Sequence, residues 1–270
     1  MTVYRKGPIE LRLGDYRDAL ADVEPDAVIT DPPYGERTHA GHDRGGPQIL
    51  SATGQETRRP LRYLGCGAGE LRRFTAAWGA RARGWLAVLS SHDQIPDYEA
   101  GAEDCGRYAF APLPVIQKRP RLLGDGPASW AVYLLVSRPR TRSAMRWGCL
   151  PGAYFSRCEH ASSVVGAKPL DLMRAIVRDY SRPGDLICDP CAGGATTLIA
   201  AALEGRRAIG AELDPETYEK ACARIERTAL TPPLPGLDLE PRPRAEQTGI
   251  DFDEVEPVVP VGALDHRGRP

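Results

Sequence analysis

The chain has 270 residues, 42% of them hydrophobic, and carries 35 Lys and Arg against 36 Asp and Glu for a net charge of -1. That supports one sizeable core with room for a small appendage, and it gives no compositional sign of a nucleic-acid binder. No apolar run approaches the roughly 18 to 20 residues of a membrane span, Met1 is not followed by an apolar signal region, and the seven cysteines are scattered, so a soluble cytoplasmic protein with free thiols is expected.

Along the chain, Ile9, Leu11 and Leu13 alternate as a strand that ends at Gly14 and Asp15, and Ala27 to Thr30 form a second that ends at Asp31. Both deliver a carboxylate at their carboxyl end. Residues 35 to 62 lack periodicity and read as a long loop, which in a compact domain is usually functional or disordered. Leu71, Phe74, Ala77 and Trp78 make one apolar helix face. Trp85 to Ser90, Tyr108 to Ile116 and Trp130 to Ser137 read as strands, and Pro139 to Gly166 as irregular. A helix through Leu170, Met173, Ile176 and Val177 leads to the strand Asp185 to Cys188, a glycine turn, the helix Thr196 to Leu203, the strand Arg207 to Ala211 and a helix near Pro215 to Arg227. Strands alternating with helices predict a parallel, doubly wound α/β sheet.

The domain is expected to span residues 1–230, with 231–270 a proline-rich, acidic tail. Cations cluster at Arg58, Arg59, Arg62, Arg72 and Arg73, and again at Lys118, Arg119, Arg121, Arg138, Arg140, Arg142 and Arg146. Such clusters track phosphates in some proteins and form an ordinary solvated surface in others.

The stretch DLICDPCAGGATT, residues 185–197, runs from an apolar strand through a glycine turn into a helix. In open α/β sheets ligands bind beyond the carboxyl ends of the strands. Gly193 and Gly194 let a ligand approach the backbone, and Glu212, 23 residues after Asp189 at the end of the next strand, is placed to accept hydrogen bonds from ribose hydroxyls. This suits an adenosine-containing cofactor, whereas the G-x-G-x-x-G fingerprint of a dinucleotide site is absent. Residues 64–69, Leu-Gly-Cys-Gly-Ala-Gly, resemble a second glycine loop but follow no apolar strand. Cys188 and Cys191 have the C-x-x-C spacing without a second pair of metal ligands, so no metal is expected.

Asp31-Pro32-Pro33-Tyr34 directly follows its strand. A base's exocyclic amine is a poor nucleophile because its lone pair is delocalised into the ring. The Asp31 carboxylate and the Pro32 carbonyl could each accept one amine hydrogen and localise that pair, with Pro33 holding Pro32 extended and Tyr34 stacking on the base. Such groups reach an amine only if the base leaves the duplex.

Together, LRLGDYRDAL, AVITDPPYG and VGAKPLDLMRAIVRDYSRPGDLICDPCAGGATTLIAAALEGRRAIGAELDP resemble the permuted β class of amino-methylating DNA methyltransferases, over residues 8–228. The resemblance implies a Rossmann-like, seven-stranded, circularly permuted sheet, S-adenosylmethionine as donor and double-stranded DNA as partner, in a restriction-modification setting and with a homodimer allowed. It implies Asp31, Pro32, Pro33 and Tyr34 at the target base, and Asp189, Pro190, Cys191, Ala192, Gly193, Gly194, Thr196, Glu212 and Asp214 around the cofactor. Asp15 would face the cofactor's adenine, Lys168 would help form its methionine end, and residues 35–75 and 138–167 would contact DNA. Adenine is the expected target ahead of cytosine. The alternatives are an RNA or protein amide methyltransferase, or an inactive DNA-binding remnant. The family's D-P-F-x-G-x-G becomes Asp189-Pro190-Cys191-Ala192-Gly193-Gly194-Ala195 here, and the Ala195 methyl is expected to crowd the cofactor.

Overall fold

The computed structural model describes residues 2–35, 67, 69–121, 129–140, 147–156 and 168–230. Ten strands form one sheet: β1 (Thr2–Lys6), β2 (Ile9–Leu13), β3 (Ala27–Thr30), β4 (Leu86–Ser90), β5 (Arg107–Ala109), β6 (Leu113–Arg121), β7 (Ser129–Pro139), β8 (Tyr154–Phe155), β9 (Leu186–Asp189) and β10 (Arg207–Glu212). Their order is β1-β2-β10-β9-β3-β4-β7-β6-β8, with β5 on β7.

Seven of these, β2 to β6 in that order, form a Rossmann-like sheet: β2, β10, β9, β3 and β4 run parallel, and β7 runs antiparallel between β4 and β6. The last strands in the chain, β9 and β10, lie between the early strands β2 and β3, which is the permuted order. Three strands exceed the expectation. β1 pairs antiparallel with β2, and β8 adds two residues in the segment read as irregular. The single strand expected over 108–116 is two, because the chain breaks at Phe110–Pro112 before β6 starts; Pro112 has no N–H to donate.

Both faces are covered, as a parallel sheet requires. Alternation sorts the strand residues: Ala27, Ile29, Ala87, Leu89 and Ile187 pack on one face, Val28, Leu86, Val88 and Cys188 on the other. The first face takes α4 (Leu170–Tyr180), α5 (Thr196–Leu203) and α6 (Pro215–Arg227) through Met173, Ile176, Leu198 and Ile225. The second takes α1 (Tyr16–Ala19), α2 (Glu70–Arg81) and α3 (Ile95–Asp104) through Ala19, Leu71, Phe74, Trp78 and Tyr98. Helix α2 forms where Leu71, Phe74 and Trp78 recur at helical spacing. Helix α3, preceded by a 3-10 turn at His92–Gln94, has no counterpart in the sequence reading.

Residues 1–235 cluster as one unit. The tail expected at 231–270 and most of the loop expected at 35–62 lie outside the described residues. No helix among the described residues is long and apolar enough to cross a membrane.

Candidate active site

The parallel register brings the carboxyl ends of β2, β10, β9 and β3 to one edge. Ala27 and Val28 stand opposite Ile187 and Cys188, so the turn after Thr30 lies beside the turn after Asp189. A hydrogen bond joins them: the buried Thr30 hydroxyl donates to Asp189 Oδ1 at 2.7 Å, and the Cys191 amide donates to the same oxygen at 3.1 Å. Asp189 is buried at the end of β9. Burial pushes its pKa up to about 6 against the pull of Thr197, Thr30 and the Cys191 amide, and the nearby Asp31 charge adds to the rise.

The glycine turn is built for close approach. Gly193 has φ +49° and Ala195 φ +59°, both left-handed. A Cβ on Gly193 would meet only the Cys191 carbonyl oxygen, at 4.0 Å, so the space in front of it is open. Pro190, Ala192, Gly194, Ala195 and Thr196 are buried, which leaves Cys191 and Gly193 as the partly accessible members of the expected cofactor turn. Burial holds the Cys191 thiol well above its ordinary pKa. Ala195 corrects one expectation. Its methyl is fully buried in the core between sheet and helices, so it does not crowd the ligand side, and its cost is the left-handed backbone, about 1 kcal/mol for a residue with a Cβ.

Glu212, at the end of β10, accepts the Gly193 amide at 2.9 Å through Oε2 and the Asp214 amide at 2.8 Å through Oε1. Burial raises its pKa while these two amides oppose the rise. The backbone oxygen of Glu212 accepts the Gly14 amide at 2.9 Å, which brings Asp15 to the same edge. Asp15 caps α1, with Oδ1 accepting the Arg17 amide and Arg17 Nε at 2.9 Å each, and Arg17 holds its carboxyl below the usual range. Asp214 caps α6, with Oδ2 accepting the Thr217 amide at 2.9 Å and hydroxyl at 2.7 Å. Helix capping accounts for its position.

The turn after β3 is less satisfied. Lys168 Nζ donates to Asp31 Oδ2 and sits 5.0 Å from the centre of the Tyr34 ring. Asp31 Oδ1 and the Tyr34 hydroxyl are buried, and neither has a hydrogen-bond partner among the described residues. Pro32 is buried and Pro33 half-buried. Lys168 was expected at the cofactor's methionine end, and the structure puts it on the Asp31 carboxylate.

Three contributors went unread in the sequence. Thr30 ties the two turns. Thr197 restrains the Asp189 carboxyl. Arg224, on α6, donates through one nitrogen to the Gly194 carbonyl at 2.7 Å and the Thr196 hydroxyl at 2.6 Å, bracing the glycine turn from behind. Arginines at the end of a long helix carry no signal of such a contact.

Other readings find their places. Gly67 and Gly69, from the second glycine-rich stretch, open α2, where their amides donate to Glu70 and Asp97 at 3.0 Å each. The remaining residues of that stretch other than these two lie outside the described residues, Glu70 onward excepted. Cys188 is buried in the sheet and Cys191 lies in the turn, both as free thiols. Arg138 and Arg140 sit at the far end of the sheet, because Ser137 pairs with Leu86 at the start of β4 while Ser90 at its end pairs with Tyr133. There Arg138 lies over the Phe110 ring at 5.7 Å, and Arg140 Nε donates to the Arg107 carbonyl at 3.2 Å.

A five-strand parallel sheet closed by an antiparallel pair, with a glycine turn, an acid on the neighbouring strand and an acidic tetrapeptide along one edge, is a Rossmann-like methyltransferase fold. Residues 146–223 match the model of the N6_N4_Mtase family, described as DNA methylase. The type II methyltransferase M.MthZI of Methanothermobacter thermautotrophicus is 42% identical over 62 residues, a match that covers 23% of this chain and 18% of that protein. YubD of Escherichia coli (strain K12) is 25% identical over 209 residues, covering 73% of this chain and 79% of that protein. Among solved structures, the M1.HpyAVI–SAM complex superposes with a TM-score of 0.58 at 18% identity, over 80% of this chain and 98% of that one.

Proposed function

We propose that this chain transfers the methyl group of S-adenosylmethionine to the exocyclic amine of a base in double-stranded DNA, adenine N6 ahead of cytosine N4. The observation that carries this reading is a buried, unpartnered carboxylate oxygen, Asp31 Oδ1, beside an unpartnered Tyr34 hydroxyl, one strand away from a turn with open space at Gly193. The residues present fit the donor. Gly193 offers a backbone that a ligand can touch, and Glu212, already fixed by two amides, keeps lone pairs for ribose hydroxyls.

S-adenosylmethionine, when bound, supplies an electrophilic methyl on a sulfonium sulfur. Asp31 Oδ1 and the Pro32 carbonyl accept the two amine hydrogens and draw the nitrogen lone pair out of the ring. Transfer of that methyl would leave a surplus proton on the nitrogen, which Asp31 would accept and pass on to water. Tyr34 offers its ring to the base face, and the base is flipped out to reach this edge. The acceptor set supports adenine through the family resemblance, in which Asp opens the tetrapeptide more often in adenine enzymes.

For DNA contact we favour residues 35–75, which include the loop following Tyr34. In that segment Arg72 is tied to Asp104 by bonds of 2.6 and 2.7 Å. A short or relaxed recognition sequence is the reading that fits so little dedicated surface. The test is to treat plasmid DNA with the purified chain and donor, digest it to nucleosides and analyse them by mass spectrometry. N6-methyladenine is expected. N4-methylcytosine alone would reverse the choice of base, and donor consumption on RNA or protein with unmodified DNA would overturn the proposal.

A further inference from the structure

The contact between Lys168 and Asp31 joins positions 137 residues apart, and it involves the one carboxylate on which the proposed reaction depends. We infer that Lys168 is a positioning residue for methyl transfer: it occupies Asp31 Oδ2 so that Oδ1 alone faces the amine. The inference rests on the proposed function, since it names what orients that function's acceptor.

Three observations converge. The pair is sheltered, with the Lys168 side chain 15% exposed and that of Asp31 23%, so solvent screens it less than a surface ion pair. The two oxygens of Asp31 are sharply divided, Oδ2 held by the ammonium and Oδ1 buried without a partner among the described residues. The same ammonium lies over the Tyr34 ring, so one cation fixes both the acceptor and the ring offered to the base. Burial works against the charge on Lys168, but the Asp31 carboxylate outweighs it and holds the lysine protonated, so it donates to Asp31 and cannot act as a base. Its backbone is fixed by the start of α4, where Pro169 is the N-cap and Met173 donates its amide to the Pro169 carbonyl at 3.2 Å.

A lysine serving the donor's methionine end would behave differently, and the experiment separates the two. Lys168→Met and Lys168→Arg are compared with the parent chain in donor binding by calorimetry and in kcat at saturating donor and DNA. The expected result for Lys168→Met is a donor Kd within about twofold and a kcat lowered by roughly two orders of magnitude, as for loss of an interaction felt in the transition state. Lys168→Arg should recover most of the kcat. A thermal double-mutant cycle with Asp31→Asn, which needs no turnover, should show coupling, the double variant melting no lower than the less stable single. Donor Kd raised tenfold or more with kcat intact would overturn the inference, as would additive melting shifts. Failure of the parent chain to methylate DNA would instead sink the proposed function, leaving the melting cycle to judge the pair.

Discussion

Two turns stand side by side at the carboxyl edge of the sheet, and they differ in how far their polar groups are satisfied. In the turn after β9, Asp189 takes a hydroxyl and an amide through one oxygen, and Glu212 pins Gly193 and Asp214 from the next strand. In the turn after β3, one Asp31 oxygen and the Tyr34 hydroxyl are buried with no well-formed hydrogen bond among the described residues, the hydroxyl lying close to both Asp31 and Lys168. A buried polar atom without a partner costs about 1 to 3 kcal/mol, which a ligand's donors at this edge would offset. The first turn has its polar groups fixed within the fold, and the second keeps polar groups that the proposed reaction would use.

Asp31→Ala breaks the contrast most strongly. Turnover should fall by roughly a thousandfold or more, since the lost acceptor acts in the transition state, while donor affinity holds and the chain stays folded, with a lower melting temperature because Lys168 loses its partner. Steady-state kinetics with calorimetry checks this, and near-normal turnover would contradict it.

Asp189 is the next largest handle, through pH. Its folded pKa of about 6 exceeds the ordinary value of 3.8. A carboxyl raised in this way favours the folded state fully below pH 3.8, and that contribution is lost as the pH rises through 6, about 3 kcal/mol at 1.36 kcal/mol per unit. Denaturant melts from pH 4 to 7 should show this decline, and Asp189→Asn should flatten it.

Glu212→Ala sharpens the comparison from the side of the first turn. It removes the anchor of the Gly193 amide and the expected acceptor for the donor's ribose, so donor Kd should rise about 10- to 100-fold by the usual cost of charged hydrogen bonds. Gly67→Ala should leave that Kd unchanged. The reverse pattern would move the donor to the other glycine-rich stretch.

Ala195→Gly should show the smallest effect. Relief of a left-handed alanine, about 1 kcal/mol, is offset by a lost buried methyl worth about 0.8 kcal/mol. Thermal melts should agree to within a degree or two, and a large loss of stability would mean that the methyl does more in the core than fill space.

How much of this was legible follows from how local each signal is. Asp31, Asp189 and Glu212 announce themselves because an apolar strand ends on each, and the glycine turn is contiguous. The bond from Thr30 to Asp189 spans 159 residues and the pairing of Lys168 with Asp31 spans 137, so no pattern in the chain could disclose them. Helix α3 contains Pro96 and Gly101, two residues of poor helix propensity. Pro96 sits in its first turn, where a missing N–H is harmless, and Gly101 packs against α2 so closely that a Cβ would lie 2.4 Å from the Arg72 carbonyl oxygen. Tertiary contact explains both residues, and a local reading sees only their poor helix propensity.

The insertion of β9 and β10 between β2 and β3 also governs how this chain comes into being. During synthesis the strands up to residue 139 emerge first, yet β2 and β3 have no direct neighbour in each other and must wait for residues 186–212 to fill the gap. The β2–β10 and β3–β9 pairings, such as Ile9 with Ala208 and Val28 with Cys188, therefore each close a loop of well over a hundred residues, a topology that folds slowly and leaves strand edges open meanwhile. The same geometry divides the site across the chain: of two fragments cut between β8 and α4, the second would hold only the adjacent strands β9 and β10 that fill the gap between β2 and β3 of the first, and neither would own a complete site until the other arrived.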